Sequence, residues 1–268
     1  MNCGGDPLEE KRFAVIGTDG RQRAAAAYLA RLGYPVAGEE GLVSADVVLL
    51  PTPLATAKLS LPQLLAQLRP GTMVFAGAVK EREQAIAAAA GVQLFDCLAR
   101  EELAILNAIP TCEGAIEILL HERDQTLWNS RVLILGFGRI AKLLAQRLAC
   151  FGALVTVAAR RPDVRALALA LGYRALEIDR LRQTAGEYEI LVNTVPAPLI
   201  DRETAGFLRQ DAFVLDLASA PGGVDLEAAQ QRGIRALRAG GLPAKCAPKT
   251  AGRFLAQTVL KMMEEMDR

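Results

Sequence analysis

The chain has 268 residues, of which 51% are hydrophobic and 23% are charged, and its formal net charge is +1. This length suits two domains with sizeable cores. The near-neutral charge and the lack of a basic run interleaved with aromatic residues argue against nucleic acid or an anionic membrane surface as a partner, so we expect a small molecule.

The sequence predicts a cytoplasmic protein. No apolar run approaches the eighteen or so residues of a membrane span, and the first twelve residues carry Asp6, Glu9 and Glu10 where a signal peptide would be cationic. The five cysteines form no C-x-x-C pair, which indicates reduced thiols. With His121 as the single histidine, we expect no metal centre and no Ser-His-Asp triad.

The first element in chain order is an apolar run, Arg12–Ile16, that ends at Gly17. A second run, Arg131–Leu135, ends at Gly136 and lies 119 residues further on, and later leucine, glycine and valine positions keep the same offset. This repetition predicts two copies of a strand, turn, helix and strand unit.

Short apolar strands alternate with helical patterns in both halves, which predicts an α/β fold of two Rossmann-like domains, each with a doubly wound parallel sheet. The first half continues with strands at 46–50, 72–76 and 92–95 and helices around 61–68 and 81–90. The second half has strands at 153–158, 189–193, 212–216 and 234–237 and helices at 142–151 and 226–231.

Two long helical patterns indicate how the halves are joined. Asn107–Gly114 leads into one of them, with Thr111 as a plausible N-cap, and Thr250–Met266 forms the other. We expect two interdomain helices and a cleft between the domains that binds substrate. The expected domains are an N-terminal substrate or catalytic domain at 1–118, joined by a returning helix at 251–268, and a dinucleotide-binding domain at 119–250.

The downstream glycine turn has the pattern G-x-G-x-x-A of dinucleotide-binding units. Its glycines allow a tight turn and a close approach of a pyrophosphate, whose charge the helix N-terminus would stabilise. The predicted cofactor-binding residues here are Gly136, Phe137, Gly138, Arg139 and Ile140. In the upstream copy, Asp19 stands where the downstream copy has Gly138, so we do not expect the first half to hold the dinucleotide.

The residues after the second strand of the downstream unit predict NADP. Arg160 lies 24 residues beyond Gly136, where an NAD site needs a carboxylate, and Arg161 follows it. Two guanidinium groups suit a phosphomonoester, so NADP is favoured over NAD. The alternative is a solvated arginine pair at a strand end.

Further candidate residues follow the ends of strands, where ligands of doubly wound sheets bind. Near the cofactor we place Asn193, Thr194 and Pro196. As residues that bind or orient substrate we propose Asp216, Ser219, Lys245, Thr250 and Arg21, with Lys249 beside them and the catalytic base unassigned. Simpler roles stay open: a turn cap for Asp216, a backbone hydrogen bond for Ser219, solvated lysines, and a paired surface cation for Arg21.

Several runs in order along the chain resemble the dehydrogenase subunits of dipicolinate synthase. These runs are 14–22, 107–114, 136–139, 193–196, 216–219 with 221–223, and 241–243 with 247–252. Thr18 and Ala244 replace glycines that are typical of that family, and the region 51–62 does not match.

The resemblance implies an NADP-dependent dehydrogenase of spore-forming bacteria that works in the cytoplasm of the mother cell with a small B subunit, as part of an oligomer. Its reaction would convert a dihydrodipicolinate, derived from 4-hydroxy-tetrahydrodipicolinate, to pyridine-2,6-dicarboxylate. Two alternatives remain. A two-domain 2-hydroxyacid or amino-acid dehydrogenase generally needs a His–carboxylate pair, and a non-catalytic NADP-binding sensor or scaffold needs none.

Overall fold

The computed structural model describes residues 11–57 and 59–268, so the expectation about Asp6, Glu9 and Glu10 lies outside the described residues. The chain divides into two compact units. Unit 1 comprises Met1–Asn107 and Pro243–Arg268, and unit 2 comprises Ala108–Leu242.

Unit 1 contains a parallel sheet whose described strands follow the order β2-β1-β3-β4-β5. Its strands are β1 (Phe13–Val15), β2 (Val36–Ala37), β3 (Val47–Leu49), β4 (Met73–Ala76) and β5 (Gln93–Asp96). Its helices are α1 (Gly20–Arg31), α2 (Leu61–Leu65), α3 (Glu81–Ala89) and the last helix of the chain, α10 (Pro248–Met266). The central strands β1, β3 and β4 are short apolar runs buried on both faces, as expected when helices cover a parallel sheet, whereas the edge strands β2 and β5 are partly exposed.

Unit 2 contains a second parallel sheet, whose described strands follow the order β11-β10-β9-β6-β7-β8. Its strands are β6 (Arg131–Leu135), β7 (Leu154–Ala159), β8 (Arg174–Glu177), β9 (Ile190–Asn193), β10 (Phe213–Asp216) and β11 (Arg235–Arg238). Its helices are α5 (Arg139–Cys150), α6 (Pro162–Ala170), α7 (Leu181–Thr184) and α8 (Leu226–Gln231). Read from the other edge, this order is the 3-2-1-4-5-6 order of dinucleotide-binding domains.

The predicted fold class of two Rossmann-like domains is confirmed, and the differences from the predicted elements are local. Helix α5 begins at Arg139, three residues before the predicted start, because Gly138 ends the turn and the helix follows at once. Helix α6 and strand β8 were missed. Strand β8 is only partly buried at the edge of the sheet, so its apolar pattern is weak.

The segment around Thr111 differs most from the prediction. Glu101–His121 is one continuous helix, α4, with Pro110 inside it, so Thr111 is not an N-cap. The helix begins in unit 1 and ends in unit 2, and α9 (Leu242–Cys246) likewise contains the second boundary. A proline usually interrupts a helix, and here the buried apolar face of α4 overrides that preference.

Helix α4 is an exception to the expectation that no apolar run approaches the length of a membrane span. By length and composition, Glu101–His121 is apolar enough to cross a membrane, with a mean hydropathy of 1.5 in its most apolar window. Half of that window is buried inside the protein, and buried core helices show the same composition.

Candidate functional site

The turn between β6 and α5 has the geometry of a phosphate-binding turn. Gly136 has a φ of +89°, and a Cβ there would lie 2.7 Å from Cγ2 of Val195 and 2.8 Å from Oγ1 of Thr194. A side chain at this position would therefore collide with the loop after β9. Nothing lies within 4 Å of a Cβ built on Gly138, so the space beside it is open for a ligand. Between them, Phe137 is buried and packs edge-on against Tyr173.

No side chain caps the start of α5. Gly138 is the N-cap, has extended backbone dihedrals, and has no side chain to cap the first turn. Arg139 and Ile140 form that turn, and the Ile140 carbonyl accepts a hydrogen bond from the Cys112 thiol at 3.4 Å. Unsatisfied N–H groups and the helix dipole make such a turn an anion-binding site.

In the upstream copy of the turn, between β1 and α1, the Asp19 carboxylate takes the place of a phosphate. Asp19 is the N-cap of α1 and accepts hydrogen bonds from the backbone N–H groups of Arg21 at 2.8 Å and Gln22 at 2.9 Å. These are donors that a phosphate would need. The difference between the copies is therefore both steric and electrostatic, because Asp19 adds a negative charge where the downstream turn has only a glycine.

The two arginines after β7 are not equivalent. The Arg161 guanidinium forms a two-point pair with the Asp163 carboxylate, with Nε 3.0 Å from Oδ1, and this hydrogen bond raises the pKa of Arg161. Arg160 forms no ion pair with any described residue, and its side chain lies at the surface. Arg165 donates to the Ala159 and Arg160 carbonyls and pairs with Glu177, which fixes the backbone that carries Arg160.

The Asp216 carboxylate is buried and fully engaged by the protein. Its Oδ1 accepts hydrogen bonds from Asn193 Nδ2 at 2.8 Å and from the Ala218 N–H at 3.2 Å. Its Oδ2 accepts from the Gly223 N–H and from Arg238 Nε, each at 3.0 Å. These bonds join the ends of β9, β10 and β11, so the geometry favours a positioning role for Asp216 over contact with a reactant.

Side-chain donors after β9 are also used within the protein. Asn193 donates to Asp216 and to the Val195 carbonyl, and the Thr194 hydroxyl donates to the Leu135 carbonyl at 2.8 Å. These hydrogen bonds hold the loop beside the glycine turn, so both side chains lie next to the turn where the sequence placed them. Pro196, which follows in this loop, is exposed.

The remaining predicted substrate residues lie on different elements. Ser219 is exposed in the loop after β10, where its carbonyl accepts from the Gly222 N–H. Lys245 is exposed on α9, and Thr250 lies in the first turn of α10 beside Lys249. The structure thus places Ser219 in a loop, Lys245 in the last turn of α9 and Thr250 at the start of α10.

Arg21 is neither a simple surface cation nor a well-paired one. Its side chain is only 12% exposed, its Nε is buried without a hydrogen-bond partner, and Asp19 lies 4.0 Å from its guanidinium. Burial lowers the pKa of Arg21, and the Asp19 charge acts in the opposite direction. A desolvated guanidinium with an unused donor is suited to bind a carboxylate.

Two polar residues of unit 1 with unpartnered buried oxygens were missed by sequence reasoning. Gln22 is fully buried and donates from Nε2 to the Leu50 carbonyl at 2.6 Å, which leaves its Oε1 unpartnered. Thr52, two residues further along that loop, is 1% exposed and has an unpartnered hydroxyl. Gln22 lies in the first turn of α1, which follows β1, and Thr52 lies in the loop after β3, so both are at the switch point of the first sheet. The Pro51-Thr52-Pro53 sequence directly after an apolar strand could have identified Thr52 as a candidate site residue.

Among the described residues, the surroundings of Cys97, Cys112 and His121 do not favour catalysis or metal binding. Burial raises the pKa of the Cys97 and Cys112 thiols to about 12, so both are poor nucleophiles. His121 is exposed at the end of α4. Within the described residues, no group of three or more His, Cys, Asp or Glu side chains is arranged to hold a metal ion.

Known proteins resemble this chain in sequence and in fold. The family model of the D-isomer specific 2-hydroxyacid dehydrogenase, NAD binding domain, matches residues 117–218. The A subunit of dipicolinate synthase from Bacillus subtilis (strain 168) is 36% identical over 194 residues, which cover 72% of this chain and 65% of that protein's length.

Two solved structures extend the likeness to nearly the whole chain. The A subunit of dipicolinate synthase from Bacillus halodurans has a TM-score of 0.85 at 28% identity, and the match covers 94% of this chain and 97% of that one. The corresponding dipicolinate synthase structure from Bacillus subtilis has a TM-score of 0.84 at 29% identity, and the match covers 96% of this chain and 97% of that one.

The fold, the open glycine turn and the matched residues 117–218 are those of a Rossmann-type dinucleotide-binding domain of the kind found in dehydrogenases. More particularly, the chain is a homologue of the dipicolinate synthase A subunits, and the resemblance indicated by its motifs is confirmed.

Proposed function

We propose that the chain is the dehydrogenase component of a dipicolinate synthase. In this reaction a dihydrodipicolinate, derived from 4-hydroxy-tetrahydrodipicolinate, loses a hydride and a proton and becomes aromatic pyridine-2,6-dicarboxylate. The observation that carries the proposal is the 36% identity to the dipicolinate synthase protein of Bacillus subtilis. That alignment spans 65% of the relative's length, so the substrate and partners belong to the proposal.

The residues of unit 2 fit a dinucleotide. The open space at Gly138 admits a pyrophosphate, and the uncapped first turn of α5 supplies donors to it. Bound NADP⁺ would accept the hydride. Asp216 and Asn193 hold the loops beside this turn in place, which supports a preorganised cofactor site.

Arg160 supports NADP as the cofactor. It stands where an NAD site requires a carboxylate, it has no competing ion pair among the described residues, and Arg165 fixes its backbone. Arg161 contributes less, because a 2′-phosphate would have to compete with Asp163 for its guanidinium. We therefore assign the 2′-phosphate mainly to Arg160.

The substrate's carboxylates require cations and hydroxyl groups. In unit 1, Arg21 offers a desolvated guanidinium, and Lys245 and Thr250 offer an ammonium group and a hydroxyl. In unit 2, Ser219 offers a hydroxyl on the loop that Asp216 holds. Aromatisation drives the oxidation and the neighbouring imine acidifies the proton that is lost, so a dedicated histidine base is not required.

A second candidate, a 2-hydroxyacid dehydrogenase, is favoured by the family-model match at 117–218. Its chemistry generally uses a His–carboxylate pair, and the only histidine of the sequence, His121, is exposed at a helix end. The dipicolinate synthase assignment avoids this difficulty. We also propose a cytoplasmic location, an oligomeric state, and a companion B subunit, since the relatives carry names that denote one component of a larger enzyme.

The proposal is tested by turnover. The purified chain is mixed with dihydrodipicolinate and NADP⁺ or NAD⁺, with and without a companion B subunit, and formation of the reduced cofactor is followed by absorbance. We expect turnover with NADP⁺. Oxidation of a 2-hydroxyacid in its place would favour the second candidate, and NADP⁺ binding without turnover under any condition would favour a sensor or scaffold.

A further inference from the structure

A long groove runs between α1 and α10 in unit 1, with a volume of about 680 Å³. The two helices are parallel and in register. A Cβ on Gly20 would lie 2.8 Å from Pro248, and one on Gly252 would lie 2.7 Å from the Ala24 Cβ. Further along, Gln257 Nε2 donates to the Tyr28 hydroxyl at 3.1 Å. Both helices therefore begin at the same end of the groove, where their dipoles add.

The groove is lined by four cations and no carboxylate. These cations are Arg23, Arg31, Lys249 and Arg253. Within residues 11–57 and 59–268 none of them forms an ion pair, and the only hydrogen bond recorded for Arg23 goes to the Thr18 carbonyl. By contrast, four arginines elsewhere contact carboxylates: Arg69, Arg100, Arg165 and Arg182. The whole chain has a formal net charge of only +1, so the positive charge along this groove is a local excess.

Two of the cations are held in defined positions. The Arg31 guanidinium lies 5.2 Å from the centre of the Tyr28 ring, and that of Arg253 lies 5.5 Å from the centre of the Phe254 ring. Such stacking restricts the side chains before a ligand binds, which lowers the entropy lost on binding. Unpaired like charges held close together repel one another, and an anionic ligand relieves that repulsion.

We propose that this groove binds an acid-rich polypeptide segment of a partner protein. The helix register places Lys249 and Arg31 at its two ends, ~15 Å apart at ~1.5 Å per helical residue. An extended segment of about five residues spans that distance at ~3.3 Å per residue, whereas a dicarboxylate or a phosphate reaches only one end. We take the partner to be the companion B subunit, and this identification rests on the proposed function. The prediction that the segment is acidic rests only on the charges of the groove.

The experiment measures binding of fluorescein-labelled oligoglutamate peptides to the full chain by fluorescence anisotropy, for lengths of two to ten residues. Affinity is expected to rise with length to about five or six residues and then to level off. Arg31→Glu and Arg253→Glu should each weaken binding of the six-residue peptide at least ~10-fold, while Arg31→Lys retains most of it. Arg82→Glu, an exposed charge reversal on α3 of the same unit, is the matched control and should change affinity less than ~2-fold.

NADP⁺ affinity of each variant reports on folding and separates this inference from the proposed function, because neither Arg31 nor Arg253 belongs to the proposed catalytic or cofactor site. Equal affinity for two-residue and six-residue peptides, or tighter binding of inorganic tripolyphosphate than of any peptide, overturns the proposal in favour of a small-anion site. Self-association that Arg31→Glu abolishes, without peptide binding, overturns it in favour of a second copy of this chain.

Discussion

The sequence predicted that Asp216 binds or orients substrate, and Asp216→Asn distinguishes direct contact with the substrate from a role in positioning the surrounding loops. Each carboxylate oxygen accepts two hydrogen bonds, from Asn193 and the Ala218 N–H on one side and from the Gly223 N–H and Arg238 on the other. An asparagine has one accepting oxygen. Whichever way the amide turns, its NH₂ faces two donors.

The magnitude follows from burial. Asp216 is 0% exposed and Arg238 is 38% exposed in its side chain, so water partly compensates the arginine but not the backbone N–H. Breaking a buried ion pair and leaving one buried donor unpaired costs about 3 kcal/mol, at the low end of the range for such pairs. For a chain of this size, that corresponds to a fall in Tm of roughly 6–12 °C.

Thermal unfolding and urea denaturation measure this effect, and steady-state kinetics on the folded fraction separate it from chemistry. Asp211→Asn is the matched control, because the Asp211 side chain is 55% exposed and pairs with Arg209 at the surface, where removal costs about 0–1 kcal/mol. We expect Asp216→Asn to lose stability and to weaken NADP⁺ binding, with an unchanged pH profile of kcat. Unchanged stability together with a large loss of kcat alone would refute the positioning role.

Three further predictions concern unit 2. Gly138→Val should fold normally, because a Cβ at this position has open space around it. It should weaken NADP⁺ binding ~100-fold, because the side chain blocks the pyrophosphate. A variant with the stability and the NADP⁺ affinity of the parent chain would contradict the cofactor assignment. Asp163→Asn should free the Arg161 guanidinium for the 2′-phosphate and raise NADP⁺ affinity ~3- to 10-fold. NAD⁺ affinity is the control and should not change. A fall in NADP⁺ affinity would contradict a role for Arg161 in binding the 2′-phosphate. At pH 8 a thiol reagent should modify exposed Cys150 rapidly and Cys112, whose pKa is raised to about 12, only on unfolding; comparable rates contradict the burial of Cys112.

Much of the fold was predictable because its signals are local. Buried parallel strands are near-continuous apolar runs, and the glycine at the end of β6 requires a positive φ that other residues rarely adopt. The continuous helix through Pro110 was not predictable, because tertiary burial overrides the local preference of proline. Edge strand β8 was not predicted because it is only partly buried, and its sequence therefore has little apolar pattern.

The candidate site was predictable at the level of motifs and less so at the level of side chains. The difference between Gly138 and Asp19 could be read from the repeat alone, because a carboxylate excludes a phosphate wherever it caps the helix. The engagement of Asn193 and Asp216 with each other could not, because it joins strands separated by many residues. Buried oxygens without partners, as in Thr52, appear only once the packing is known.

The direct test of the account is the affinity of the chain and of Arg160→Glu for NADP⁺ and NAD⁺, measured by isothermal titration calorimetry. We expect the parent chain to bind NADP⁺ more tightly. Arg160→Glu should weaken NADP⁺ binding ~100-fold, because it removes the guanidinium assigned to the 2′-phosphate, and should leave NAD⁺ binding unchanged or tighter, because a carboxylate there can bond the ribose hydroxyls. Tighter binding of NAD⁺ by the parent chain, or an equal loss for both nucleotides in the variant, would contradict the assignment.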